Sequence, residues 1–261
     1  MTPNGSRGLV SLVGAGPGDR ALLTLGAAER LRVAELVLYD ALVSPEVIEL
    51  ASRAQCFSVG KRAGRRSVPQ NTIIRVMIRA ARRGRHVVRL KGGDPFVLGR
   101  GGEEGLALRA AGIPFEVVQG VSAAIAAPAL AGIPVTHRGL ASGFVVVSGH
   151  DESSYAPILE SLAPASATVV VLMGLTQRRT IARCLLDRGW PPDTSVAIAS
   201  DAATPVAHTW TGSLEQLGRT ASPHPEDATG TIIIGAVVDL APVLASPPAP
   251  AAARRAVRAS R

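Results

Sequence analysis

Aromatic residues and cysteine are scarce in this chain of 261 residues, and each scarcity narrows the possible folds. Phe, Trp and Tyr make up 3% of the residues, and the apolar mass comes instead from Ala, Val, Leu and Gly. That balance suits helices packed closely on sheets better than an aromatic-rich β-sandwich. The 2 cysteines, Cys56 and Cys184, lack the spacing of metal ligands. We therefore expect no metal site and two buried thiols in a reducing compartment.

Targeting signals are also missing from the sequence. The N-terminal residues contain no basic stretch followed by an apolar core, so we expect a protein that is soluble and cytoplasmic. One charge-free stretch, residues 117–136, is long enough to raise the question of a membrane span. It consists mostly of small residues and includes Pro128 and Pro134. We interpret it as a buried loop and helix.

The charge balance is basic, with 28 Lys and Arg against 20 Asp and Glu, a net charge of +8. Four arginines fall in a Pro/Ala-rich tail at residues 246–261 that we expect to be disordered. The remaining excess fits a polyanionic substrate, nucleic acid, or simply a high arginine content. Because aromatic side chains do not interleave with the basic ones, we expect no nucleic-acid partner.

Short apolar runs alternate with amphipathic stretches along the chain, which predicts parallel βαβ units. We expect an α/β fold of two domains, residues 8–114 and 115–245, after a leader at residues 1–7. The turn-rich segment Gly112–Gly120 would divide them. The predicted strands are Leu9–Val13, Leu36–Tyr39, Phe57–Val59, Val87–Leu90, Phe144–Ser148, Thr168–Met173, Ser195–Ala199 and Thr231–Val238. A helix over Asn71–Ala81 is predicted to turn its arginines to water.

Two glycine-rich loops follow predicted strands. Residues 14–19 read Gly-Ala-Gly-Pro-Gly-Asp, and residues 88–104 contain five glycines, one proline and three carboxylates. Glycine costs backbone entropy and packs no side chain, so this density indicates close approach of a ligand to the backbone. Ligands of open α/β sheets bind at loops that end strands. The sequence therefore predicts a small polar cofactor.

A nicotinamide cofactor is one alternative, because Gly14 and Gly16 follow a strand as in the dinucleotide fingerprint. The third glycine of that fingerprint would stand at position 19, where the chain has Asp19. A carboxylate there repels a pyrophosphate, and Pro17 removes a backbone donor. An oxidoreductase therefore remains the less favoured function.

Seven motifs in order resemble the tetrapyrrole methyltransferase family, in particular the uroporphyrinogen-III C-methyltransferases, over roughly residues 8 to 240. Seven ordered motifs are far more specific than one glycine pattern. Besides the long loop at 88–104, they are Val13–Asp19, Leu38–Ser44, Val59–Gly64, Pro69-Gln70, Gly132–Arg138 and Met173–Leu175.

The resemblance implies a two-domain α/β fold with S-adenosylmethionine in the cleft between the domains, and a homodimer. The implied reaction methylates uroporphyrinogen III at C2 and C7 to give precorrin-2, for sirohaem or cobalamin synthesis. A close alternative methylates a later precorrin. Ala202 stands where the family usually has glycine, and only a negative φ would tolerate it. By position, the cofactor contacts of the family fall on Pro17, Gly92, Gly93, Asp94, Val97, Ser122, Ala123, Met173 and Ala202.

The resemblance also assigns the proton chemistry. The proton acceptor of the family corresponds to Asp40 and its proton donor to Lys61. Asp40 has an alternative interpretation as a helix N-cap, and Lys61 as an exposed loop lysine or a carboxylate-binding charge. Arg62, Gln70 and Arg138 are expected to bind the substrate, the two arginines because a planar guanidinium matches a carboxylate.

Two neighbouring carboxylates, Glu103 and Glu104, begin a predicted helix. Negative charge is favourable at a helix N-terminus, so we expect a structural role for both.

Overall fold

Two five-stranded sheets organise the computed structural model, which describes residues 8–60, 68–219 and 229–245. The strands are β1 (Val10–Gly14), β2 (Leu36–Tyr39), β3 (Gln55–Ser58), β4 (Val87–Lys91), β5 (Phe115–Val118), β6 (Phe144–Ser148), β7 (Thr168–Leu172), β8 (Ser195–Ser200), β9 (His208–Ser213) and β10 (Gly230–Ile234). The helices are α1 (Leu25–Val33), α2 (Pro45–Ile48), α3 (Gln70–Ala81), α4 (Gly101–Ala110), α5 (Ala123–Leu130), α6 (Glu152–Ser161), α7 (Arg178–Asp187), α8 (Leu214–Arg219) and α9 (Ala241–Leu244). The expected leader and tail lie outside these described residues.

The first sheet is parallel throughout, in the order β3-β2-β4-β1-β5. Its central strand β4 turns alternate side chains to opposite faces, as the pleat requires. Val88 and Leu90 pack in the same cluster as Leu31 of α1. Val87 packs on the other face with Met77 of α3. Helices therefore cover both faces, which is why this strand is buried along its length.

The structure divides the chain later than the sequence predicts. Strand β5 pairs with β1, Val10 opposite Phe115, so it belongs to the first sheet. Internal contacts group Met1–Ala126 with Asp201–Ala207 in one unit, and Ala127–Ser200 with His208–Arg261 in the other. The turn-rich segment Gly112–Gly120 contains the edge strand β5. The whole segment belongs to the first unit.

The second sheet is mixed, whereas the sequence predicted parallel βαβ units. Its order is β6-β7-β10-β8-β9, and only β6 and β7 run parallel. Strand β9 was not predicted, because it reads His-Thr-Trp-Thr-Gly-Ser and is largely exposed. It forms a hairpin with β8, which needs no crossover helix. Trp190 and Tyr155 are fully buried in the core of this unit.

Three smaller expectations can be compared with the structure. Residues 117–136 contain the end of β5 and the short helix α5, which has Pro128 inside it. Within the described ranges, no helix combines the length and the apolar character needed to cross a membrane. Cys56 and Cys184 are free and half-buried, and burial raises the pKa of both thiols.

Candidate active site

Three glycine loops meet at the carboxyl edge of the first sheet. Gly93 N–H donates to the Gly16 carbonyl at 2.8 Å, and Gly16 N–H donates back to Gly93 at 3.2 Å. Ala15 N–H donates to the Lys91 carbonyl at 2.7 Å. A Cβ atom built on Gly14 would lie 2.5 Å from Gly120 Cα. The loops after β1, β4 and β5 are thus packed backbone against backbone, which only glycine permits.

Asp94 fastens this arrangement through both carboxylate oxygens. Phe96 N–H donates to Oδ1 at 2.8 Å, and Gly120 N–H donates to Oδ2 at 3.0 Å. The first bond closes a turn within the loop, and the second ties the loop to the end of β5. Val97, the next predicted contact, is 37% exposed in that same turn.

Gly92 and Gly93 offer open backbone where a cofactor is predicted. A Cβ atom on Gly92 would have a single neighbour within 4 Å, Leu42 Cβ at 3.7 Å. Packing of the protein therefore does not explain why a glycine stands there. Gly93 has a φ of 66°, and its built Cβ atom would lie 3.8 Å from Ser122 Cα and from Ala123 N. The residues present leave a bare cradle, so they fit a group that approaches the backbone closely.

Ser122 and Ala123 form the start of α5 beside this cradle. The Ser122 side chain is buried, and its hydroxyl accepts a hydrogen bond from Ala124 N–H at 3.2 Å. The hydroxyl thereby satisfies one of the unpaired amide donors of the first helical turn. Six of the predicted cofactor contacts, from Gly92 to Ala123, therefore lie in the two adjoining loops after β4 and β5.

Ala202 lies in the segment Asp201–Ala207, which belongs to the first unit. The left-handed φ angles fall on its neighbours, 46° at Asp201 and 65° at Ala203, and not on Ala202 itself. Alanine is therefore tolerated at this position without backbone strain. A Cβ atom on Gly18 would lie 3.6 Å from the Ala202 carbonyl, which puts this segment beside the loop that contains Pro17.

Met173 and Arg138 belong to the second unit. Met173 follows β7 with a φ of 58°, and it is 51% exposed. A large apolar side chain held exposed in the left-handed region is strained, and such strain concentrates at functional sites. Arg138 is exposed in a short turn that His137 and Ala141 close by backbone hydrogen bonds.

Asp40, at the end of β2, belongs to a buried cluster of charged side chains. Its Oδ1 atom accepts a hydrogen bond from the guanidinium of Arg89 on β4. Arg89 Nε also donates to Glu104 Oε1 on α4 at 2.9 Å. Lys91 Nζ lies 3.1 Å from Glu104 Oε2, and Gln70 Nε2 donates to Oε1 at 2.8 Å. Two cations and two carboxylates thus balance in charge.

Burial makes this cluster electrostatically strong. The side chains of Arg89 and Lys91 are 4% exposed and that of Glu104 is 0% exposed, against 30% for Asp40. Burial, followed by the neighbouring Arg89 charge, lowers the pKa of Lys91, and the two carboxylates oppose that shift. Buried charges are costly unless they are paired, so loss of one partner is expected to destabilise the fold.

The structure shows what the side chains of Asp40 and Gln70 contact. Asp40 contacts Arg89, and the next helix, α2, begins after Ser44, which argues against the N-cap interpretation of Asp40. The Gln70 amide N–H is directed to Glu104, whereas it was expected to bind substrate. Lys61 and Arg62 lie outside the described residues.

Sequence reasoning missed the role of Glu104, which was interpreted only through the helix dipole. The signal was present in β4, where Arg89 and Lys91 occupy alternate positions of an otherwise apolar strand. They share one face because side chains alternate along a strand. Two cations on a covered face require a buried anion.

One pocket of the first unit lies away from the predicted site residues. A pocket of about 460 Å³ between α3 and the end of α4 contains none of the predicted site residues. Four arginines of the exposed α3 face line it, with Ile78 and Ala111: Arg75, Arg79, Arg82 and Arg83. In the described part of the chain, no cluster of three or more His, Cys, Asp and Glu side chains could hold a metal ion.

Comparison with known proteins gives concordant matches. A family model described as Tetrapyrrole (Corrin/Porphyrin) Methylases matches residues 9–218. Siroheme synthase of Neisseria meningitidis serogroup B is 48% identical over 240 residues, which are 91% of this chain and 49% of that protein. This chain therefore spans about half the length of the curated relatives it matches.

Two solved structures are similar over nearly their whole length. Uroporphyrin-III C-methyl transferase from Thermus thermophilus, complexed with S-adenyl homocysteine, has 43% identity and a TM-score of 0.77, over 89% of this chain and 100% of that one. A cobalt precorrin-4 methyltransferase has 26% identity and a TM-score of 0.78, over 92% and 99% of the two chains.

Proposed function

Because the chain belongs to the tetrapyrrole (corrin/porphyrin) methylase family, we propose that it is an S-adenosylmethionine-dependent C-methyltransferase acting on uroporphyrinogen III. The product is precorrin-2, formed by methylation of two ring carbons. The carrying observation is the bare glycine cradle after β4, with Asp40 at the end of the adjacent strand β2. Identity to the Thermus uroporphyrin-III enzyme is 43%, against 26% for the precorrin-4 enzyme, which favours the earlier substrate.

The cofactor residues proposed here are those of the glycine loops and their neighbours. S-adenosylmethionine, when bound, supplies an electrophilic methyl group on sulfur. The backbone at Gly92 and Gly93 gives it close access, while Asp94 holds the loop in place. Pro17, Val97, Ser122, Ala123, Ala202 and Met173 complete the proposed set.

The reaction requires alignment and proton removal. A pyrrole carbon of the substrate forms a bond to the methyl carbon as the methyl–sulfur bond breaks, which leaves a cationic ring. Holding the two reactants in line lowers the barrier, because the entropy of bringing them together has already been lost on binding. The ring becomes neutral when it loses a proton, and Asp40 is the proposed acceptor. Its negative charge also stabilises the cation before the proton leaves. Lys61 is the proposed donor.

The substrate carries acetate and propionate arms, which need cationic partners. Arg138 and Arg62 are the proposed partners, because a guanidinium pairs with a carboxylate through two parallel hydrogen bonds. Gln70 is better explained as a ligand of Glu104, at 2.8 Å.

The decisive experiment is mass spectrometry after anaerobic incubation of the protein with uroporphyrinogen III and S-adenosylmethionine. A gain of two methyl groups, absent without cofactor, is the expected result. No gain, with methylation of a later precorrin, would instead identify the second family activity. Light scattering tests the homodimer that the resemblance implies, and cell fractionation tests the cytoplasmic location expected from the N-terminal sequence.

A further inference from the structure

We propose that Glu104 is a positioning residue for Asp40 and acts on it through the guanidinium of Arg89. The inference rests on the proposed function, in which Asp40 accepts a proton from the methylated ring. It concerns a side chain that does not itself reach the reacting atoms.

The contrast between two adjacent glutamates on α4 is the first argument. Glu103 pairs with Arg100 at 2.7 Å, and both side chains are more than half exposed. Such a surface pair contributes little. Glu104 is 0% exposed and faces inward to Arg89, Lys91 and Gln70. A carboxylate buried so completely is retained only where its partners are needed.

The geometry of Arg89 is the second argument. Its Nε donates to Glu104 at 2.9 Å, while Nη2 of the same planar group donates to Asp40. Nη1 donates to the carbonyls of Leu38 and Leu90, at 3.2 and 3.1 Å. Because the guanidinium is rigid, fixing Nε and Nη1 also fixes the direction in which Nη2 points. Glu104 thereby sets the orientation of the Asp40 carboxylate.

The charge balance is the third argument. Without the Glu104 charge, Arg89 and Lys91 would be two buried cations facing Asp40 alone. Asp40 would then be drawn toward both, and its carboxylate would be oriented to satisfy the cluster rather than to meet the ring. An exact base geometry matters because small displacements of a catalytic group cost large factors in rate.

Steady-state kinetics of matched variants test this inference. Glu104→Gln keeps the shape and removes the charge, and Glu103→Gln is the neighbouring control. We expect Glu104→Gln to lower kcat roughly 10- to 100-fold, with the cofactor dissociation constant within about threefold of the parent. Glu103→Gln should match the parent. An unchanged kcat in Glu104→Gln would overturn the proposal.

Coupling to Asp40 separates positioning from a general structural role. In an Asp40→Asn background the same Glu104→Gln change should cost less than about twofold, since residues that act through one group are not additive. Losses that multiply in full would show that Glu104 acts independently of Asp40. If Glu104→Gln folds poorly, Glu104→Asp keeps the charge, shortens the reach and is expected to lower kcat in the same way.

A crystal structure of Glu104→Gln gives a readout that does not depend on the substrate. We expect the Asp40 carboxylate to turn from its parent orientation toward Arg89 and Lys91 together, whereas an unmoved carboxylate would contradict the inference. The proposed function fails in a different way, because the parent protein would then not methylate uroporphyrinogen III.

Discussion

Gly14 and Gly120 lie back to back at the edge of the first sheet, where a Cβ atom on Gly14 would stand 2.5 Å from Gly120 Cα. Gly92 differs, since its Cβ atom would meet only Leu42 at 3.7 Å. We expect Gly14→Ala to cost about 3 kcal/mol of unfolding free energy or more. Gly92→Ala should keep the fold and weaken S-adenosylmethionine binding about tenfold.

Calorimetric titration and thermal unfolding measure the two effects separately. Gly102 is the control for binding, because nothing lies within 4 Å of its built Cβ atom. Gly102→Ala should leave the affinity unchanged and, since the residue lies in α4, raise the stability by up to about 1 kcal/mol. Equal loss of stability and affinity in Gly92→Ala would identify that glycine as part of an ordinary turn.

Replacement of Asp40 by Asn should abolish most turnover and preserve the fold. Asn cannot take up a proton near neutral pH, but its carbonyl oxygen can still accept the Arg89 hydrogen bond. Glu104 continues to pair with Arg89 at 2.9 Å, so no buried cation is left alone. We expect kcat to fall about 100-fold or more, with cofactor affinity retained.

Rapid-quench or steady-state assays of methyl transfer check this expectation. Asp193→Asn is the control, because Asp193 is exposed and the same substitution there should leave turnover unchanged. Parent-like turnover in Asp40→Asn would mean that the base lies elsewhere.

Replacement of Met173 by Gly should relieve backbone strain and weaken cofactor binding. Its φ of 58° suits glycine, so Met173→Gly is expected to leave stability within about 1 kcal/mol, relief of strain offsetting added chain entropy. Loss of the side chain should weaken cofactor binding. Ala165→Gly relieves the same φ of 58° at an exposed position and should leave binding unchanged. Identical affinities of both variants and the parent would remove Met173 from the site.

Glu116 predicts a pH-dependent contribution to stability. Arg30 donates to both its oxygens, at 2.8 and 3.0 Å, and Ser11 Oγ donates at 2.7 Å. The Arg30 hydrogen bond, chiefly, holds the pKa of Glu116 below its usual 4.5. Because the folded-state pKa is the lower one, the stabilisation is present above pH 4.5 and is lost as the pH falls through the folded value.

Urea unfolding of Glu116→Gln tests this contribution. We expect a loss of about 1 kcal/mol at pH 7, narrowing below pH 4.5 as the parent carboxylate is protonated. Glu160→Gln, which removes an exposed partner of Arg188, should cost little at either pH. If the difference in unfolding free energy between the parent and Glu116→Gln does not change with pH, the loss comes from packing and not from the carboxylate charge.

Hydrophobic pattern was enough to place most strands within a residue or two. Leu36–Tyr39 and Phe144–Ser148 were predicted with the observed bounds. Strand direction was not predictable in the same way, because an apolar run reads alike in parallel and antiparallel pairs. The exposed strand His208–Ser213 carried no apolar alternation, so its hairpin with β8 was missed.

The candidate site shows the same limit of sequence reasoning. The density of glycines predicted the loops that meet at the sheet edge, because only glycine allows two backbones to approach so closely. Glu104 could not be placed by local reasoning, because its partners Arg89 and Lys91 come from another element and meet it only in the folded chain. Motif resemblance proposed Asp40 as the proton acceptor, and the ion pair that holds its side chain required coordinates.

The order β3-β2-β4-β1-β5 has a consequence for how the protein is made. Strand β1 has both of its neighbours far downstream in the chain, with Val10 opposite Val87 and Phe115. During translation β2 and β3 can join first, while the nascent β1 segment waits without a partner. We therefore expect the first sheet to close only after β4 and β5 have been synthesised, which leaves the apolar β1 segment without its neighbours until then.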